Sequence, residues 1–125
     1  MHIWNSIRGH FALMEGRTLH TIAQRRPFTI ERVVPKDGEA DWVIVVTVGE
    51  HERSQYVYIT DMLKVYFMVM RHGSLTLQQA KKDTDILGKG QLPYLLAMLT
   101  TFDDIKVDRE SRITRIKWTG RSELE

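Results

Sequence analysis

Five histidines, a short run of carboxylates and a C-terminal crowd of lysines and arginines are the side chains of this 125-residue chain whose types invite chemistry. His2, His10, His20, His51 and His72 are scattered, and none stands at helix spacing from a carboxylate in a metal motif. Asp37, Glu39 and Asp41 could hold a hard cation. They sit in and just after a turn signal, where solvated carboxylates are expected, and no acid-x-lysine pair on a later strand completes a nuclease-type set. Ser74, Thr76 and Ser111 lack a base and an orienting acid around them. Glycines occur singly or as Gly88-Lys89-Gly90, without a strand–glycine-rich–helix phosphate loop. Cysteine is absent, which removes disulfides, thiolate zinc sites and cysteine nucleophiles. The expectation is a non-enzymatic chain with no catalytic residues, no metal and no cofactor.

The cations offer more. The formal charge is +2, with 7 Lys/Arg against 7 Asp/Glu in residues 1–59 and 11 against 9 in residues 60–125. Lys81, Lys82 and Lys89 flank one helix start, and Arg109, Arg112, Arg115 and Lys117 line a C-terminal strand pair. Phosphates need only positive charge within reach, so these residues are candidates for backbone contact with nucleic acid. Asp83, Asp85, Asp108 and Glu110 lie among them, which leaves an ordinary solvated surface equally open.

Length and composition bound the class. With 42% apolar and 27% charged residues, the chain reads as one globular domain over residues 1–123. Leu124-Glu125 reads as a remnant of an expression tag. His2, Asn5, Arg8 and His10 interrupt any signal peptide, and no apolar run approaches the roughly 20 residues of a membrane span. A cytoplasmic protein without membrane contact is expected.

The elements that must position these side chains follow from periodicity. Residues 2–14 place Ile3, Ile7, Phe11 and Met14 on one helical stripe beside Trp4, with Gly16 as a left-handed cap. Residues 18–22, 28–33, 42–48 and 55–59 are rich in β-branched and aromatic residues, and Pro35-Lys36-Asp37-Gly38 is a turn signal. They read as a four-stranded antiparallel meander whose third strand, Val43-Ile44-Val45-Val46, is central. Thr60 is the expected cap of a helix ending before Gly73. That helix is apolar nearly all round, broken only by Asp61, Lys64 and Arg71, so it is either a central core helix or a dimer contact through Tyr66, Phe67 and Met70. Ser74 or Thr76 caps a helix at residues 77–83, and Pro93 opens a third that runs to about Thr101. Residues 105–108 and 113–118 form two short strands, with Ile116 and Trp118 on one face and Arg115 and Lys117 on the other.

The order helix–helix–helix–hairpin and the Gly73-Ser74-Leu75-Thr76 lead-in to the second helix resemble a winged helix-turn-helix. The segment Gln91-Leu92-Pro93-Tyr94-Leu95-Leu96-Ala97-Met98-Leu99 is similar to third helices of small bacterial domains. The expected fold is α+β: an N-terminal helix and four-stranded antiparallel sheet, then a three-helix winged-helix-like unit with a C-terminal β-hairpin. The resemblance implies DNA as partner, contacted through the third helix and the wing. On that helix only Gln91, Tyr94, Thr100 and Thr101 can offer hydrogen bonds, and no arginine is present to grip a guanine. The expected nucleic-acid residues are therefore Lys81, Lys82, Lys89, Gln91, Tyr94, Arg109, Arg112, Arg115 and Lys117, in a chain acting as a dimer. The alternative is a protein–protein assembly module built on the apolar 62–70 helix.

Overall fold

A computed structural model of the chain describes residues 2–36, 41–49, 53–109 and 113–120, the side chains of residues 2–5 excepted. Among the described residues there are four α-helices and seven strands, a mixed α+β fold. The turn residues Asp37 and Glu39, the hairpin residues Glu110, Ser111 and Arg112, and the side chains of Ile3 and Trp4 lie outside the described ones.

Helix α1 (His2–Ala12) lays Ile7 and Phe11 into the core, as its stripe requires, and Met14 follows in the turn after it. Strands β1 (Thr18–His20), β2 (Pro27–Pro35), β3 (Trp42–Val48) and β4 (Arg53–Tyr58) pair antiparallel in sequence order, with a register irregularity between Ile30 and Arg32. β3 is an interior strand, and Val43, Ile44, Val45 and Val46 are all buried. Ile44 and Val46 face the main core, whereas Val43 and Val45 lie on the opposite face between β2 and β4 neighbours.

β4 runs straight into α2 (Ile59–His72), whose N-cap is Tyr58 rather than Thr60. Ile59, fully buried, is drawn into the helix by the core beneath it, so Thr60 falls in the first turn and caps nothing. The helix stops at Gly73, whose φ of 82° lets its N–H return to the Val69 carbonyl. Met62, Val65 and Val69 are buried, while Leu63, Tyr66, Phe67, Met68 and Met70 are half-buried. The central-core reading of this helix therefore holds for one face.

Strand β5 (Ser74–Thr76) leads to α3 (Leu77–Asp83), a 3-10 turn at Lys89–Gln91 and α4 (Leu92–Leu99), and β6 (Ile105–Asp108) and β7 (Arg115–Trp118) close the chain. Thr76 caps α3 in a full capping box: its hydroxyl accepts from the Gln79 N–H and the Gln79 side chain accepts from the Thr76 N–H. A second, three-stranded sheet has the order β5-β7-β6. β7 thus pairs with both β5 and β6, and neither of the last two strands pairs with the first sheet. Leu75, Val107 and Ile116 meet on the inner face of this sheet, and the outer face carries Lys106, Asp108, Arg115 and Lys117. One continuous core joins both sheets and all four helices. Among the described residues, no helix is long and apolar enough to cross a membrane.

Candidate nucleic-acid interface

The third helix of the C-terminal unit, α4, is the element a groove-reading protein would present. Pro93 stands in its first turn, where a missing N–H costs nothing, and five consecutive apolar residues follow Tyr94. Five consecutive positions wrap more than one full helical turn, so a helix with an outer face must expose one of them. Here Leu95, Leu96, Ala97, Met98 and Leu99 are all 3% exposed or less. The N-terminal half of the chain supplies part of that cover, and burial of each large side chain contributes roughly 1.5–3 kcal/mol. Withdrawing two of them would cost a large part of the ~5–15 kcal/mol that holds a whole domain together. α4 is an interior helix.

Of the four residues on which hydrogen bonding through α4 depends, Gln91, Thr100 and Thr101 use their polar groups inside the protein and Tyr94 packs its ring there. The Gln91 amide donates to the Gln55 side chain on β4. The Tyr94 ring meets Phe28 of β2 with centroids 5.2 Å apart. Thr100 and Thr101 return their hydroxyl protons to the carbonyls of Ala97 and Met98. Thr101 Oγ1, its proton committed, accepts from His10 Nε2 at 2.8 Å, which places the imidazole proton on Nε2.

The cations are distributed differently. Lys81, Lys82 and Lys89 are exposed. Lys81 and Lys82 occupy the last turn of α3, where the helix dipole also favours them. Arg109 is exposed, yet one guanidinium nitrogen donates to the Ile22 carbonyl at 2.7 Å, tying the C-terminal hairpin to the turn after β1. Arg115 is half-buried, and its Nε has no hydrogen-bond partner among the described residues. Lys117 is exposed and stands directly opposite Lys106 across β6–β7. Like charges in register destabilise a sheet, and an anion laid over them removes that cost. Arg112 is outside the described residues.

Sequence reasoning missed Arg26. It lines a cleft of about 250 Å3 together with Gln24, Lys81, Pro93, Tyr94 and Thr114. The turn that carries it is clamped: the Arg26 N–H donates to Thr21 Oγ1 at 2.9 Å, and the Thr21 N–H donates to the Arg26 carbonyl at 3.0 Å. Nothing local in Arg25-Arg26-Pro27 announces that this turn meets a helix more than fifty residues away. Lys106, in register with Lys117, was legible in the strand pattern and was passed over.

Asp61 was also missed. Expected as a break in the apolar coat of α2, it is 1% exposed and accepts the N–H groups of Leu87 and Gly88, each at 2.9 Å. It fixes the turn that carries Lys89 and Gln91. At the other end of the unit, Tyr66 donates to the Asp104 carboxylate. Burial first, and then that hydrogen bond and the Asp104 charge, raise the Tyr66 phenol above its ordinary range. The polar end of Tyr66 is thus used internally, while Phe67 and Met70 remain half-buried on α2.

Burial lowers His10 below its ordinary value of 6.5, partly opposed by the nearby Asp103 carboxylate. Its ring stacks on Phe102 at 4.2 Å. The unfolded chain therefore takes up this proton more readily than the folded one. Stability falls as pH drops through 6.5 and levels off below the lowered folded value. His10→Gln, which keeps an N–H for Thr101, is expected to flatten that slope in urea melts between about pH 7 and about pH 5. Equal slopes in both proteins would remove His10 as the cause.

Among the described residues, no three His, Asp or Glu side chains are grouped so as to hold a metal ion. No family model, no curated protein and no solved structure matches this chain significantly.

Proposed function

We propose that this chain is a non-enzymatic nucleic-acid-binding module of winged-helix type that grips the phosphate backbone of DNA. The order α2-β5-α3-α4-β6-β7, with β7 between β5 and β6, supports the winged-helix reading. The observation that carries the functional reading is the meeting of two cations from opposite halves of the chain, Arg26 and Lys81, in one cleft. Lys82 follows Lys81 in the last turn of α3, and Lys106 and Lys117 oppose each other separately on the hairpin. In this reading α4 is scaffold, not a probe of the major groove, because its residues 95–99 are core and only Pro93 and Tyr94 in its first turn, with the buried Leu96, line the cleft. Contacts of this kind position a protein on the duplex without reading bases.

Fluorescence anisotropy with a labelled duplex tests it. Lys81→Ala combined with Lys82→Ala is expected to weaken binding to unrelated duplexes alike and to lower the log K against log salt slope by about 2. Arg32→Ala, an exposed position on the sheet face away from the main core, is the control and leaves affinity unchanged. Equal loss in both variants, or none in either, counts against the assignment.

A further inference from the structure

We propose that the cleft bounded by residues 21–26, α3, α4 and Thr114 is a binding site for a single nucleotide. This rests on the nucleic-acid reading and deepens it. At about 250 Å3 the cleft is smaller than the roughly 300–1,000 Å3 of pockets for drug-sized ligands, so it takes the base of one nucleotide and leaves the sugar and phosphate at its mouth. Tyr94 and Pro93 supply an aromatic and apolar wall. Phe28 meets Tyr94 in an edge-type contact at an interplanar angle of 66°, and the half-buried Tyr94 also lines the cleft, so it can offer aromatic surface to a planar heterocycle. Gln24 provides an amide that can both donate to and accept from a base edge, and Thr114 adds a hydroxyl. Arg26 and Lys81 supply the charge that a phosphate requires. A flat apolar wall, edge-reading polar groups and two cations together match a nucleotide better than a bare anion or an apolar ligand.

The site is also built in advance. Backbone hydrogen bonds from Thr21 and Arg25 close the turn, and Arg109 holds it to the C-terminal hairpin through the Ile22 carbonyl. A wall fixed both by its own turn and by a distant segment of the chain loses little freedom on binding. The ligand has two sources with the same chemistry: a free nucleoside monophosphate, or a nucleotide unstacked within a strand, as single-stranded or mispaired DNA presents it at low cost.

The 125-residue chain is titrated with three probes: adenosine monophosphate, a short oligodeoxyadenylate, and a strand of equal length made of abasic sites. A base held in the cleft is expected to make the oligodeoxyadenylate bind about tenfold more tightly than the abasic strand. Tyr94→Leu, which keeps apolar volume beside Phe28, and Gln24→Ala, at an exposed position that cannot unfold the protein, each reduce that preference. Saturable binding of adenosine monophosphate, lost in the same two variants, supports the cleft with the free nucleotide as its source. Equal affinity for both strands, with no binding of the monophosphate, overturns the nucleotide site while leaving phosphate contact standing. Failure to bind any probe or duplex overturns both.

Discussion

Asp61→Ala is expected to cost about 3 kcal/mol of folding stability, a large share of the ~5–15 kcal/mol available to a domain of this size. The carboxylate is buried at the start of α2 and receives two backbone N–H groups from the turn between α3 and α4. Hydrogen bonds to a charged acceptor contribute about 1.5–3 kcal/mol each, and removing the acceptor leaves the Leu87 and Gly88 donors without partners. Part of that loss is offset because Leu87 is an exposed residue, so water can reach the turn. Asp61→Asn retains one acceptor oxygen and is expected to lose about half as much. Urea denaturation of the two variants measures the difference, and a loss below about 1 kcal/mol for the alanine variant would show that the turn is held by other means. Because this turn carries Lys89 and Gln91, a destabilised turn should also weaken DNA binding more than the loss of Lys89 alone.

Ala97→Lys is the second large effect, and it bears on what α4 is for. In a helix that enters a groove, an added lysine is tolerated and strengthens phosphate contact. Ala97 is 3% exposed and belongs to the main core. A lysine there must bury its ammonium or push the packing apart, at a cost of about 3 kcal/mol or more. The expected outcome is a protein with a markedly lower urea midpoint and no gain in DNA affinity. A stable variant that binds DNA more tightly would mean that the 95–99 stretch of α4 meets the ligand.

The α+β class and most element positions were legible from periodicity. The meander followed from β-branched runs separated by turn residues, and Gly73 and Thr76 announced a helix end and a helix start through local backbone chemistry. Boundaries moved where specific turn and pairing contacts override strand propensity. β1 stops at His20 because Thr21 closes the clamped turn with Arg26, and β2 extends to Pro35 beyond its irregularity at Ile30. The alternation in β7 correctly separated Ile116 and Trp118 from Arg115 and Lys117.

The candidate site was less legible. The hydrogen-bonding residues of α4 are visible in the sequence, but the engagement of Gln91 by Gln55 and of Tyr94 by Phe28 depends on how the first sheet docks. Asp61 looked like a solvent-facing break because its partners are backbone N–H groups, which carry no residue signature. Arg26 had no local cue linking it to Lys81. Pairings across distant segments are set by tertiary packing, and one chain read alone does not encode them in any short window.

The binding of duplex DNA by the unmodified protein across a salt series is the most direct test of the functional reading. Two duplexes of unrelated sequence should bind with similar affinity, and log K should fall linearly with log salt, with a slope of about −0.9 for each phosphate engaged. Absence of binding at low salt, or an affinity indifferent to salt, would contradict phosphate recognition by these cations.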